Sequence, residues 1–492
     1  MRGVLRSLAV AAAGTGLVLV GTYLPGPLNL AHGTGPGRST TAHTGPVTQA
    51  QVICPGPEAL GVAGLKGPAA QMVSVTAAAA PVQALPPGFA TGQSSGSLSI
   101  GGLPAGGAWA APVTLRGQTI SGQVSTARSA LITGVGVLAP GTVATQRSWV
   151  RSGDSRGLVT AACAPAAASS WLIAGGSDPG RRQRLVLTNP GPNPVTVDLT
   201  VLGAKGPIQS PNGHGLVVGP YGRAVVLLDA IAGSEPSPVV HVTAQGGEVA
   251  AVVSDTWLDG VVPRGGDDAA PVAAPAREQV IAGVAIAGRA TLRVAVPGDK
   301  DAVVESRVLT ASGPKALPAN GVTRLAAHSS TDIDLSALPV DAYAVQVRAN
   351  VPVVAGAMTE RRGILGGPSD LAWSGASAPI GTLAGLTLRG PADSPLSARL
   401  DLAAAHDPAL VLVSAVDAGG VVSTKEVAIA ADSVSTLPLG AATSVWVTPR
   451  SGLVQAAVVT WFTDATGQVL SVTPLMDLTL TATSSPLREL RD

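Results

Sequence analysis

Val195-Thr196-Val197-Asp198-Leu199-Thr200-Val201 puts apolar side chains at the odd positions and polar ones at the even. A period of two with β-branched residues predicts a strand with one buried and one wet face. The cluster Asn189-Pro190-Gly191-Pro192-Asn193-Pro194 precedes it, and no helix crosses such prolines. Gly206-Pro207 punctuates its far end.

The same order returns further along. Residues 292–296 reach Pro297-Gly298-Asp299, the segment Val303 to Leu309 follows, and Gly313-Pro314 comes next, so both Pro190 and the Gly-Pro pair recur after 107 residues. A looser copy runs through Leu400-Asp401-Leu402, His406-Asp407-Pro408 and 410–416. Three later stretches, VHVTAQGGEVAAVV (240–253), VQVRANVPVVAGAM (345–358) and VWVTPRSGLVQAAV (445–458), align without a gap at offsets of 105 and 100. Their shared inward positions are Val240 and Val242 with Val345, Val347, Val445 and Val447 on a first strand. On a second they are Val249, Ala251 and Val253 with Val354, Gly356, Met358, Val454, Ala456 and Val458. The expectation is that each stretch is the last hairpin of its copy, turning at Gln245-Gly246-Gly247, Asn350-Val351-Pro352 or Arg450-Ser451-Gly452.

With the entering strands at 171–176 and 279–286, each copy holds six or seven short strands in roughly 90 to 100 residues, the spacing of an immunoglobulin-like sandwich. The expected fold class is all-β: tandem immunoglobulin-like β-sandwich units, standing end to end after an N-terminal membrane anchor or signal segment. The boundaries read as a signal or anchor at 1–25, a flexible linker at 26–50, a β-rich N-terminal region at 51–165, sandwich units at 166–260, 276–362 and 378–480, and a tail at 481–492. The Pro-, Gly- and Ala-rich stretches 262–278 and 363–379 fall where inter-domain linkers belong.

Composition agrees. The chain has 46% apolar residues but only 12 aromatic ones (7 Trp, 3 Tyr, 2 Phe) among 492, so its cores are aliphatic. The 61 Gly and 40 Pro point to many turns and little long helix. A formal charge of +1, with arginines scattered in ones and twos, lacks the basic footprint that nucleic acid requires.

Arg2 and Arg6 precede the 17-residue apolar run 8–24, the charged-then-apolar order of an export signal. Leu28-Asn29-Leu30-Ala31 is a poor cleavage site, which favours an uncleaved anchor over a removed signal peptide. The stretch that follows, with His32 and His43, reads as a solvated stalk. Cys54 and Cys163 are the only cysteines, and in an oxidising compartment such a pair is most simply one disulfide. It would close a loop of 109 residues, for which chain entropy gives roughly 4 to 5 kcal/mol. The competing reading, a catalytic thiol, needs a histidine partner that spacing does not name.

Gly153-Asp154-Ser155-Arg156-Gly157 matches G-x-S-x-G, but a nucleophile elbow joins a strand to a helix and Leu158-Val159-Thr160 continues as strand, so Ser155 reads as a surface turn. His214, His241, His328 and His406 show no metal-ligand spacing. Asp267-Asp268 and Asp332-x-Asp334 could catch Ca²⁺ but read better as solvated turns. Trp171, Trp257, Trp373, Trp446 and Trp461 could form a sugar platform; the alternative places them partly buried at sandwich ends or junctions, each indole N–H finding an acceptor. No catalytic, cofactor or metal residue is assigned.

Ile53-Cys54-Pro55-Gly56, Arg156-Gly157-Leu158 followed by Cys163, Trp171 with Gly175-Gly176, and LVLTNPGPNPVTVDLTVLGAKGP at 185–207 resemble a family of exported actinobacterial proteins, domain of unknown function 5719. The resemblance implies an extracytoplasmic envelope protein built of β-sandwich units and implies no activity. The expectation is a non-enzymatic scaffold or binding module, membrane-anchored or secreted, with cell-wall polysaccharide or an envelope protein as partner. The alternatives are an accessory factor for envelope glycan assembly that partners a glycosyltransferase, and a secreted serine hydrolase using Ser155.

Overall fold

The alternation at 195–201 is a strand, Val195–Gly203, with Val195, Val197, Leu199 and Val201 buried and Thr196 and Thr200 exposed. A computed structural model describes residues 43–58, 73–87, 89, 95–104, 106–124, 126–317, 321–362, 366–388 and 396–484. Val195–Gly203 lies in one antiparallel sheet with Ser169–Ile173, Val239–Gln245 and the short strands Gly206–Ile208 and Leu216–Val218. Arg223–Leu227, Arg181–Thr188, Ala250–Asp259 and Val262–Ala269 form a second sheet. Leu172, Val197 and Val240 from the first share a core with Leu185, Ala251 and Val253 from the second. Burying each large aliphatic side chain contributes roughly 1.5 to 3 kcal/mol.

Counted along the chain, with the two short strands sharing fourth place, the sheets order the strands first-sixth-third-fourth and fifth-second-seventh-eighth. The order recurs in three other sandwiches. One is the N-terminal region: Gln49–Cys54, Ser129–Gly136, Gly96–Leu103 and Gly106–Ala108 face Thr119–Val124, Val73–Ala79, Thr142–Val150 and Gly157–Ala162 around their own core. The third begins at Ala276–Ile286 and ends at Ser369–Gly375; the fourth runs from Ala384–Thr387 to Gly467–Pro474. Cys54, ending the first strand of the first sandwich, is disulfide-bonded to Cys163, just past its eighth, with Cα atoms 4.4 Å apart.

Four expectations are corrected. The quoted stretches are not hairpins. Val239–Gln245 and Ala250–Asp259 lie in opposite sheets, so the chain arches over the core and valines line it from both sides. In the third sandwich there is no turn at Asn350-Val351-Pro352: one 22-residue strand, Asp341–Arg362, leaves one sheet and joins the other. Its second half also has the opposite parity to the gapless alignment. Val353, Ala355 and Ala357 fill the third core, while Val354 and Met358 pack into the second.

The supposed linkers are strands. Val262–Ala269 and Ser369–Gly375 are eighth strands, and their small residues serve close approach rather than flexibility. The stalk and tail also give way to strands, at His43–Pro46, Gln49–Cys54 and Thr481–Ser484. Finally, the sandwiches do not stand end to end. Their eighth strands pack on one another in the cyclic order first, second, third, fourth, first, and Gly45–Ala482 is one compact unit. The apolar run 8–24 and His32 lie outside the described residues. Among the described residues, no helix is long and apolar enough to cross a membrane.

Candidate functional site

The four inner strands meet where the sequence supplies almost no side-chain bulk. A Cβ on Gly157 would stand 3.1 Å from Asp370 Oδ1, and one on Gly265 (φ +89°) would overlap the Asp370 carboxylate. That vacated space is filled by Asp370 itself. Its Oδ2 accepts the N–H groups of Leu158 and Leu470, both at 3.0 Å, and its Oδ1 accepts that of Gly266 at 3.3 Å. One carboxyl from the third sandwich thus reaches the main chain of the other three. Asp267 repeats the device from the second, its Oδ2 accepting Trp373 N–H at 2.7 Å and its Oδ1 the Ser471 hydroxyl at 3.2 Å.

Both side chains are buried, and desolvation penalises their charged forms. Burial pushes Asp370 up to about 8 against the pull of its N–H donors, and pushes Asp267 well above the usual carboxylate range. Asp268 rises to about 7, through burial first and the nearby Glu58 charge second. The reading of Asp267-Asp268 as a solvated turn is therefore overturned: Asp267 is 1% exposed inside a strand.

Around this centre each junction has its own polar lock. Between first and second sandwiches, Arg223 donates to the carbonyls of Pro55 at 3.0 Å and Pro57 at 2.6 Å, and within the first Gly56 N–H donates to Gln146 Oε1 at 2.7 Å, which holds that segment in place. The Cys54-Pro55-Gly56 segment is thus a clasp. Between second and third, Asp255 accepts Arg181 Nε at 2.9 Å and Trp373 Nε1 at 2.7 Å, while Arg293 donates to Gly175 O at 3.0 Å and Pro236 O at 2.9 Å. Arg307 pairs with Asp432 at 2.5 Å across the next junction. Thr145 and Thr387 close the ring, donating to Thr387 O and Thr76 O, each at 2.8 Å.

At the C-terminal ends of the inner strands lies a largely apolar cavity of about 260 Å³, lined from all four sandwiches. A second, more polar pocket of about 280 Å³ between the first two sandwiches is lined by Arg182, Arg184, Glu58, Asp154, Ser155 and Trp257 among others.

The residues singled out from sequence are scattered. Ser155 lies in an exposed turn ahead of Gly157–Ala162. His214 stands 3.5 Å from Asp198 within the second sandwich and His328 2.7 Å from Asp299 within the third, while His406 of the fourth stands 2.6 Å from Glu278 of the third. His241 stacks on Trp171 with ring centroids 4.1 Å apart, and burial lowers its pKa. Asp332 pairs with Arg293 at 2.7 Å, and Asp334 caps Ser336; neither is a free turn carboxylate. The expectation that every indole N–H finds an acceptor holds for Trp257, which donates to Pro179 O at 3.1 Å, and for Trp373. It fails for Trp446, which is 0% exposed with Nε1 unpartnered. Asp370 and its partners were missed. An acid follows a Gly-Gly pair in both Gly265-Gly266-Asp267 and Gly366-Gly367-Pro368-Ser369-Asp370, but also in the exposed turn Gly246-Gly247-Glu248, so the pattern alone does not find them.

A family model described as "Family of unknown function (DUF5719)" matches residues 119–440, from the fifth strand of the first sandwich into the fourth. The chain belongs to this family. No curated protein matches it. Among solved structures, Thermotoga maritima 1070 is similar at 18% identity over 21% of this chain and 95% of that one, with a TM-score of 0.19. A tetra-tandem repeat from the extending region of a large adhesion protein is 15% identical over 88% and 100%, with a TM-score of 0.10. A family 32 glycoside hydrolase from Bifidobacterium adolescentis is 11% identical over 89% and 98%, at 0.14. Scores this low carry no argument about fold or activity.

Proposed function

We propose that this DUF5719 member is a non-enzymatic extracytoplasmic envelope protein, a scaffold or binding module held at the membrane by its N-terminal segment. The observation that supports this reading best is the use made of its buried acids. Asp267 and Asp370, with the shifted ionisation that often marks catalytic carboxyls, spend their oxygens on main-chain and hydroxyl donors of neighbouring sandwiches. They are mortar between the blocks. Four sandwiches locked in this way present a preorganised surface, which lowers the ordering cost of binding. Cell-wall polysaccharide or an envelope protein is the partner proposed.

The test is cell fractionation with N-terminal sequencing, followed by pull-down on cell-wall polysaccharide and on solubilised membrane enzymes. Retention on polysaccharide supports the module. Capture of a glycosyltransferase instead favours an accessory factor in glycan assembly. Labelling by a serine-reactive probe that is lost in Ser155→Ala would overturn the non-enzymatic reading.

A further inference from the structure

The pocket of about 280 Å³ between the first two sandwiches divides its charge between its walls. The first sandwich contributes Glu58 and Asp154 to the lining, and the second contributes Arg182 and Arg184. The arginines share a wall because successive residues of a strand point to opposite faces. Leu185 and Leu187 fill the second core, so Arg182 and Arg184 on the same strand face away from it, towards the first sandwich. Thr256, opposite Arg182 on the neighbouring strand, extends that wall. One wall is therefore acidic and the other basic.

At the buried floor the two walls join. Arg184 and Glu58 form an ion pair at 3.5 Å, with side chains 9% and 10% exposed. At the mouth the walls stay apart. Asp154 lies in the exposed turn before Gly157–Ala162, and Arg182 is exposed on Arg181–Thr188. Neither side chain forms an ion pair with a described residue, although both line the same space, which is roughly 8 Å across. A ligand with opposite charges at its two ends satisfies both walls at once. An anion alone would pair with Arg182 but face Asp154, and a cation alone would meet the reverse. Val150, Val159, Leu258 and Trp257 supply apolar contact in the same lining.

We propose that this pocket binds a free α-amino acid with an apolar side chain, its ammonium group at Asp154, its carboxylate at Arg182 and its side chain against Val150, Leu258 and Trp257. The planar guanidinium fork matches a carboxylate, and an ammonium group brings three donors to the Asp154 oxygens. Two charge-assisted hydrogen bonds of about 2.8 Å each leave room between the walls for a molecule whose charges lie only a few ångströms apart. The space also falls below the range of roughly 300 to 1,000 Å³ usual for drug-sized ligands, as an occupant this small requires. The site is incomplete in either sandwich alone. This proposal does not depend on the envelope reading, because it concerns a pocket of the folded body wherever that body resides.

The test is a ligand-observed saturation-transfer NMR titration of the full-length protein with leucine and with phenylalanine. Saturable binding is expected for at least one. Its N-acetyl derivative, which lacks the ammonium charge, and its amide, which lacks the carboxylate, should each bind about tenfold or more weakly. So should 6-aminohexanoate, whose charges lie too far apart. Asp154→Asn should weaken the amino acid by a similar factor and leave the N-acetyl derivative unchanged, whereas Arg182→Gln should weaken the amino acid and leave the amide unchanged. Both positions are exposed, and circular dichroism confirms that each variant is folded; if one is not, the other carries the same comparison. No saturable binding of either amino acid, equal affinity for a derivative that lacks one charge, or wild-type affinity in both variants would overturn the proposal.

Discussion

Asp370, in the third sandwich, accepts the main-chain N–H of Leu158, in the first, at 3.0 Å across 212 residues of sequence. The same oxygen accepts Leu470 from the fourth at 3.0 Å. A carboxyl is well suited to this position: two oxygens with two lone pairs each take several N–H donors, where a hydroxyl or amide offers fewer. The cost is desolvation of the charge, which raises the pKa of the group.

That cost makes stability depend on pH. Asp370 is raised to about 8 and Asp268 to about 7, whereas in the unfolded chain both titrate near 3.9. Between about pH 4 and pH 8 the folded protein therefore holds protons that the unfolded chain has released, so stability falls as pH rises through that window and levels off above it. Melting followed from pH 5 to pH 9 should show a decline to about pH 8 and then a plateau. Asp370→Asn should lower stability at pH 5 and flatten the slope. A melting temperature that climbs from pH 5 to pH 8 would show that these carboxyls are charged in the folded state.

Gly265 is held at φ +89° with its Cα facing the Asp370 carboxylate. Gly265→Val adds an unfavourable backbone conformation and an overlap with that carboxylate, for an expected loss of about 3 kcal/mol or more. Gly153, also at positive φ (+82°) but with open space around it, provides the control: Gly153→Val should cost only the backbone part. Urea unfolding of both variants separates the two terms.

Trp373→Phe keeps most of the ring but removes the N–H that Asp255 accepts at 2.7 Å. Asp255 is fully buried and retains Arg181, so the expected loss is about 1 to 3 kcal/mol. Asp255→Asn combined with Trp373→Phe should cost less than the sum of the two single changes, because the pair is coupled.

Reducing the Cys54–Cys163 bond, or making Cys54→Ser, should cost about 2 to 5 kcal/mol. The loss should centre on the first sandwich, whose first strand the bond fastens to its eighth. Hydrogen exchange should quicken at 73–79 and 142–150 before it does so at 397–404. Uniform quickening throughout would mean that the four blocks unfold only together.

What was legible in the sequence was the inward face of each block. The Val195 to Val201 alternation, and Val240, Val345 and Val445 at matching places, are buried as their periodicity requires, since a period of two leaves a strand little choice. Which sheet a strand joins was not legible, because valines crossing a core by an arch read the same as valines in a hairpin. The third sandwich also slips parity, since Val354 and Met358 have a second apolar core to fill. The glycine-rich segments misled for a definite reason: Gly265-Gly266 looks identical whether glycine frees a linker or lets a neighbouring backbone approach closely. The acid that follows each such pair, Asp267 or Asp370, does not separate the cases either, because Gly246-Gly247-Glu248 has the same pattern in an exposed turn. In the first sandwich, the segment leading to Val73–Ala79 breaks the spacing of the copy and concealed it.

The cyclic packing of the inner strands bears on how the molecule is made. Thr160 N–H bonds to the Ser471 hydroxyl, 311 residues later, at 3.0 Å, so the contact waits for almost the whole chain to emerge. Each earlier block can collapse on its own aliphatic core during synthesis, but the Leu470 N–H that Asp370 accepts arrives only with the last hairpin. Such distant pairings slow folding. A ribosome that stalls before Gly467 releases three formed blocks around an unsealed seam, the kind of species that quality-control proteases remove; the protein is assembled early and finished last.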